Sequence, residues 1–120
     1  MATVVTTAGL NWLTDLFDGT ATKPTNYYIG SGTGAGTAVV GNTALNTEVA
    51  EARVAATLSQ PTATTNRSVA TQSYTGTKTI TNAGLLTAST SGTLLVHGDF
   101  TGIAVANGDA IQFTIDIVTS

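Results

Sequence analysis

The chain has no cysteine and a single histidine, His97. Disulfides, thiol nucleophiles and thiolate or multi-histidine metal centres are thereby excluded. Charge is scarce too: Asp, Glu, Lys and Arg make up 9% of the 120 residues, against roughly a quarter in an average soluble domain. The four basic residues, Lys23, Arg53, Arg67 and Lys78, are scattered and face seven acids, for a net charge of -3. No basic patch exists to displace counterions from DNA or RNA, so nucleic acid is not an expected partner. Long hydrophobic runs are also missing. The opening stretch MATVVTTAGLNWLTDLF has no basic residue before its apolar part and no unbroken apolar span. It reads as neither a secretory signal nor a membrane segment, and synthesis in a bacterial cytoplasm without membrane attachment is expected.

What is present is threonine, valine, isoleucine and glycine, with 42% hydrophobic residues. The length suits one domain, expected over residues 1–120, with an N-terminal arm and helix over about 1–19 and a sandwich over about 25–120. In TTAGLNWLTDLFDG, Thr6 or Thr7 can cap a helix, Leu10, Leu13 and Phe17 recur at helical spacing flanked by Trp12 and Leu16, and Gly19 supplies the stop. That stripe is expected to face the core. Asp15 and Asp18 sit at the end of the helix that its dipole disfavours for acids, so packing must hold it. Residues 42–56, NTALNTEVAEARVAA, are read as a short second helix turning to strand near Arg53 and Val54. Beyond them the stretches RVAATLSQ, RSVATQSYT, KTITNAGLLTA, GTLLVHGDF and DAIQFTIDIV alternate in strand fashion between turn residues. The fold class is therefore mainly β, an antiparallel β-sandwich with an N-terminal amphipathic helix and one short additional helix. In the last strand Ile111, Phe113, Ile115 and Ile117 share one face, and Asn107-Gly108-Asp109 before it marks a tight turn. The polar residues 59–68 read as a hairpin loop or a disordered tract.

The stretch YYIGSGTGAGT raises the question of a phosphate loop. No lysine follows Gly36 until Lys78, and the strict alternation of Gly30, Gly32, Gly34 and Gly36 does not match a dinucleotide fingerprint. No cofactor, nucleotide, metal or small-molecule substrate is expected. The glycines instead allow close backbone approach, most simply to another chain. His97 and Asp99 have H-x-D spacing on one strand face but lack a third group for catalysis, so His97 reads as structural. Glu48 and Glu51 near Arg53 read as a helix surface or a local ion pair. The NRS stretch at Asn66 means little without a secretory signal. Tyr27, Tyr28 and Tyr74 could stack on sugars but more simply fill the core or an interface. No catalytic residue is assigned, and the chain is expected not to be an enzyme.

Three stretches carry a resemblance: VVTTAGLNWLTDLFDGT, YYIGSGTGAGTAVVGNTALNTEVAEARV, and ITNAGLLTASTSGTLLVHGDFTGIAVANGDAIQFTIDI. Together they resemble a family of small virion proteins of tailed bacteriophages, with departures at Leu86, where the family has an aromatic, and at His97, where it has arginine or lysine. The resemblance implies a structural role in the virion. Capsid cement on the shell exterior is expected, bridging the major capsid protein as a homo-oligomer; a tail or fibre-base adaptor is the alternative, and a carbohydrate-binding module a more distant one. With few charges, the contacts should rest on apolar burial and backbone hydrogen bonds. The interface is expected at the arm, Ala2, Thr3, Val4, Val5, Thr6 and Thr7, and at the glycine run, Gly30, Gly32, Gly34 and Gly36.

Overall fold

A computed structural model describes residues 2–119. The arm forms strand β1 (Thr3–Val5), and helix α1 (Thr7–Asp18) follows directly. Seven further strands follow among the described residues: β2 (Tyr28–Gly32), β3 (Val54–Ala55), β4 (Thr57–Thr62), β5 (Thr65–Ser73), β6 (Lys78–Leu86), β7 (Leu94–Val105) and β8 (Ala110–Val118). All pairings are antiparallel. One sheet has five strands in the order β1-β7-β6-β2-β3 and the other three in the order β4-β5-β8.

The fold is a β-sandwich because the chain changes sheet at short turns that its glycines permit. Between β5 and β6, Gly76 takes φ +72; between β7 and β8, Gly108 takes φ +90. That second turn is the expected Asn-Gly-Asp signal, closed by the Ala106 N–H donating to the Asp109 carboxylate at 2.8 Å. It also extends the β5–β8 ladder, since the Tyr74 N–H donates to the Asp109 carbonyl at 2.8 Å.

Alternation then fills the space between the sheets. On β8, Phe113 is buried and Ile111, Ile115 and Ile117 half-buried, while Gln112, Thr114 and Asp116 are exposed, as period-2 patterning requires. They meet Ile29, Ile80, Leu85, Leu95 and Val96 of the larger sheet, all under a tenth exposed. Each such side chain contributes about 1.5 to 3 kcal/mol by leaving water. A polar bridge joins the sheets as well: Ser31 on β2 bonds Tyr74 Oη at 2.7 Å and Gln72 Oε1 on β5 at 2.5 Å. Gln72 in turn donates to the Ala52 carbonyl at 3.0 Å, so the buried amide is satisfied.

Two expectations need correction. Residues 42–53 form no helix; α1 is the only helix among the described residues. Their backbone bonds run sideways, with the Thr33 N–H donating to the Thr47 carbonyl and the Gly34 N–H to the Asn46 carbonyl, both at 3.0 Å. Thr47 sits at φ +51, which a right-handed helix cannot contain. Leu45 is 7% exposed and drives this segment onto β2 and β6 instead.

The second correction concerns the stripe on α1. Leu10, Leu13 and Phe17 do not enter the core; they are 54%, 39% and 95% exposed. The core-facing side of the helix is the adjacent one, where Trp12 packs edge-on against Tyr27 at 5.7 Å between ring centres. The tract 59–68 is ordered as the β4–β5 hairpin, and Pro61 is tolerated there because β4 is an edge strand with a bulge between Ser59 and Thr62.

Candidate docking surface

Helix α1 is anchored by its first turn. Thr6 is fully buried at the N-cap, and its hydroxyl accepts the Gly9 N–H at 2.9 Å while its own N–H donates to the Leu95 carbonyl on β7 at 3.0 Å. Gly9 lets the helix lie directly on β7: a Cβ there would sit 2.5 Å from the Leu95 carbonyl oxygen. At the other end Gly19 adopts φ +85 and closes the helix. Both ends are fixed by the chain itself, and Trp12 fills one side. The remaining face, Leu10, Leu13 and Phe17, is left apolar and exposed over about 10 Å of helix.

Two further features border that face. Exposed Val39 and Val40 lie at the helix N-terminus, where the Val40 carbonyl accepts the Thr7 N–H at 2.7 Å. Along the other flank runs a groove of about 490 Å³ between α1 and the β4–β5 hairpin, walled by Trp12, Leu13, Leu16, Tyr27, Leu58 and Ile117. Leu13 belongs to both the groove and the exposed stripe. Ser68, 1% exposed, lines the groove, and its Oγ has no hydrogen-bond partner among the described residues. The surface thus combines a helix face and an apolar cleft with one polar atom, a combination that excludes water from a partner and offers little to a charged ligand.

The residues singled out in the sequence are placed as follows. Of the arm, Thr3, Val4 and Val5 pair with Gly98, His97 and Val96 of β7, the Ala2 N–H donates to Asp99 at 3.0 Å, and Thr6 caps α1. Of the glycine run, Gly30 and Gly32 are buried under the chain's own residues 45–53. A Cβ on Gly32 would meet the Asn46 carbonyl oxygen at 2.2 Å, and one on Gly34 the Thr47 hydroxyl at 2.6 Å. The close approach inferred for these glycines is therefore made within the chain, and Gly36, at φ +130 and exposed, is the member of the run left at the surface.

Glu48 and Glu51 do not pair with each other. Glu48 binds Arg53 through two bonds of 2.6 and 2.9 Å, and Arg53 donates on to the Ala88 and Ser91 carbonyls. Glu51, with 9% of its side chain exposed, binds Lys78 at 2.5 Å and the Thr75 N–H at 2.8 Å. The Lys78 ammonium, helped by the Thr75 amide, holds the Glu51 carboxyl down at about 2 against an ordinary 4.5. Asp99 is held below the usual carboxylate range by the Ala38 and Ala2 amides. Tyr74 is a core residue at 1% exposure, Tyr27 is the partner of Trp12, and Tyr28 is half-buried in β2, so the three do not form a shared aromatic platform.

The bare α1 face was missed as a surface because its spacing is also that of a core stripe. A usable signal was the helix's acid placement: Asp15 and Asp18 near the C-terminus, with no acid in the first turn and no base in the last. A helix so poorly matched to its own dipole depends on contacts elsewhere. Comparison with curated proteins gives no match. Over residues 1–120 the chain matches the family model Gp80, described as Podophage GP4 fiber I protein gp80, and it belongs to that family of phage virion structural proteins.

Proposed function

We propose that this protein is a non-enzymatic structural subunit of the tail fibre apparatus, a fibre-base adaptor that joins its neighbours in the virion through the exposed face of α1 and the adjoining groove. The observation that carries the reading is Phe17, 95% exposed beside Leu10 and Leu13 on a helix whose both ends are already fixed. An aromatic in that setting acts as an anchor for a partner's pocket. The family description, which names a fibre protein, favours the tail over the capsid shell. We therefore place the adaptor reading ahead of capsid cement bound to the major capsid protein.

The contact works by area and shape. With a net charge of -3 and few charges near α1 beyond Asp15, Asp18 and Lys23, docking relies on excluding water from leucine and phenylalanine side chains. Assembly as a homo-oligomer follows the symmetry of the tail, which repeats a subunit a few to tens of times.

The test is location and copy number together. Virions carrying a tagged version of the chain are imaged with a label, and the protein is quantified against the major capsid band. Label at the tail in tens of copies or fewer is the expected result. Hundreds of copies spread over the shell would overturn the adaptor reading in favour of cement.

A further inference from the structure

His97 is fully buried on β7, and both of its ring nitrogens face oxygen atoms. Nδ1 lies 2.8 Å from Asn42 Oδ1 and Nε2 lies 3.0 Å from Asn82 Oδ1. Neither amide is free to turn its nitrogen inward. Asn42 Oδ1 also accepts the Val39 backbone N–H at 2.8 Å, which identifies the atom as oxygen. Asn82 clasps the Asn46 backbone in both directions, its Oδ1 accepting the Asn46 N–H and its Nδ2 donating to the Asn46 carbonyl, each at 3.0 Å.

A neutral imidazole has one N–H and an imidazolium has two. With a neutral ring, one nitrogen lone pair would point at an oxygen lone pair across hydrogen-bond distance. Only the imidazolium satisfies both contacts. We propose that His97 is a pH-sensitive latch: its charged ring bridges Asn82 of the larger sheet to Asn42 of the 38–46 loop, and loss of the proton releases one of the two bonds and loosens the loop.

The surroundings fit a single titrating group. Residues 38–46 contain no Asp, Glu, Lys, Arg or His. On the neighbouring strands the residues opposite His97 are Gly84 of β6 and Val4 of β1, both uncharged. On β7 itself Asp99, two residues on and so on the same face, is the carboxylate that acts on the ring. Burial holds the imidazole pKa below its ordinary value, and Asp99 offsets that shift only in part. Two charge-assisted bonds to fixed acceptors add to the Asp99 side of the balance. Asp99 also holds the same loop from its other end by accepting the Ala38 N–H at 2.8 Å.

The sign follows from linkage. If the ring is protonated more readily with the loop closed than open, His97 has a higher pKa in the closed state. Closure is then fully supported below the open-state pKa and weakens as pH rises through the closed-state pKa. The loop carries Val39 and Val40, and the Val40 carbonyl caps the start of α1. An effect on docking rests on the reading of α1 as the docking face; the latch itself does not.

The single histidine makes the test clean. The full chain, labelled with nitrogen-15, gives one pair of ring signals, followed by NMR between about pH 4 and about pH 8. Two protonated ring nitrogens are expected at the acid end. Between the open-state and the closed-state pKa, exchange protection of the Val39 and Asn46 amides, corrected for intrinsic rates, should fall about tenfold per pH unit and then level off above the ring pKa. Asn42→Ala removes one acceptor from an exposed loop and should lower the ring pKa by about one unit. A neutral tautomer with a single N–H throughout, or protection that ignores the ring's titration, would overturn the latch in the unmodified protein, whatever the variant does.

Discussion

The turn end of the β6–β7 hairpin and the outer face of α1 are built from the same kinds of residue and meet opposite fates. Leu94, Leu95 and Val96 are 0%, 4% and 3% exposed, whereas Leu10, Leu13 and Phe17 stand in solvent. The hairpin is apolar on both faces because the second sheet and α1 pack on one side, and Leu45 of residues 38–46 covers Leu86 and Leu94 on the other. The helix is covered on one side only. An apolar stripe thus reports that something must cover it, and only the rest of the chain tells whether that cover is internal. Here the chain has already used its own covering segments on the sheet, and the outer face of α1 stays exposed.

The contrast can be broken most forcefully from the hairpin side. Leu94→Ala is expected to lower stability by about 2 to 5 kcal/mol, read as a shift in the denaturation midpoint, because the cavity it leaves is enclosed. Next comes the glycine wall beneath residues 45–48. Gly32→Ala places a methyl against the Asn46 carbonyl, and about 1 to 3 kcal/mol of overpacking cost is expected in the same measurement.

Acid tests the polar part of the buried region. Glu51 has a folded pKa near 2, below its ordinary 4.5, so its contribution is present above 4.5 and is lost as pH falls from there towards 2. A melting temperature that drops across this window in the native protein, and drops less in Lys78→Met, is the expected outcome. A window unchanged by Lys78→Met would mean that the pair does not couple to folding. The smallest effect belongs to α1: Phe17→Ser should move stability by less than about 0.5 kcal/mol, since its ring touches little within the chain.

Much of the architecture could be read before any coordinates. The alternation of Ile111, Phe113, Ile115 and Ile117 located β8 and its buried face, because a two-residue period has one structural meaning. The Asn-Gly-Asp turn and the limits of α1, from the Thr6 cap to Gly19, were legible from local chemistry. Strand β1 was not, since three residues become a strand only by pairing with distant β7. Residues 42–53 misled for a related reason: their alanines and glutamates favour a helix locally, but Leu45 and the Asn82 clasp on Asn46 make non-local contacts that outweigh that preference. His97 could be recognised as structural from its isolation in the sequence. Its pinning by two asparagine oxygens could not, because Asn42 and Asn82 come together only in the fold.

The face of α1 marks the limit of such reading, and it is also where the functional claim rests. Phage particles are produced with the chain carrying either Phe17 or Phe17→Ser, and the amount of this protein per virion is quantified for both. The expected result is a variant that melts at the native temperature yet is lost from the particles. Incorporation at the native level would contradict docking through α1.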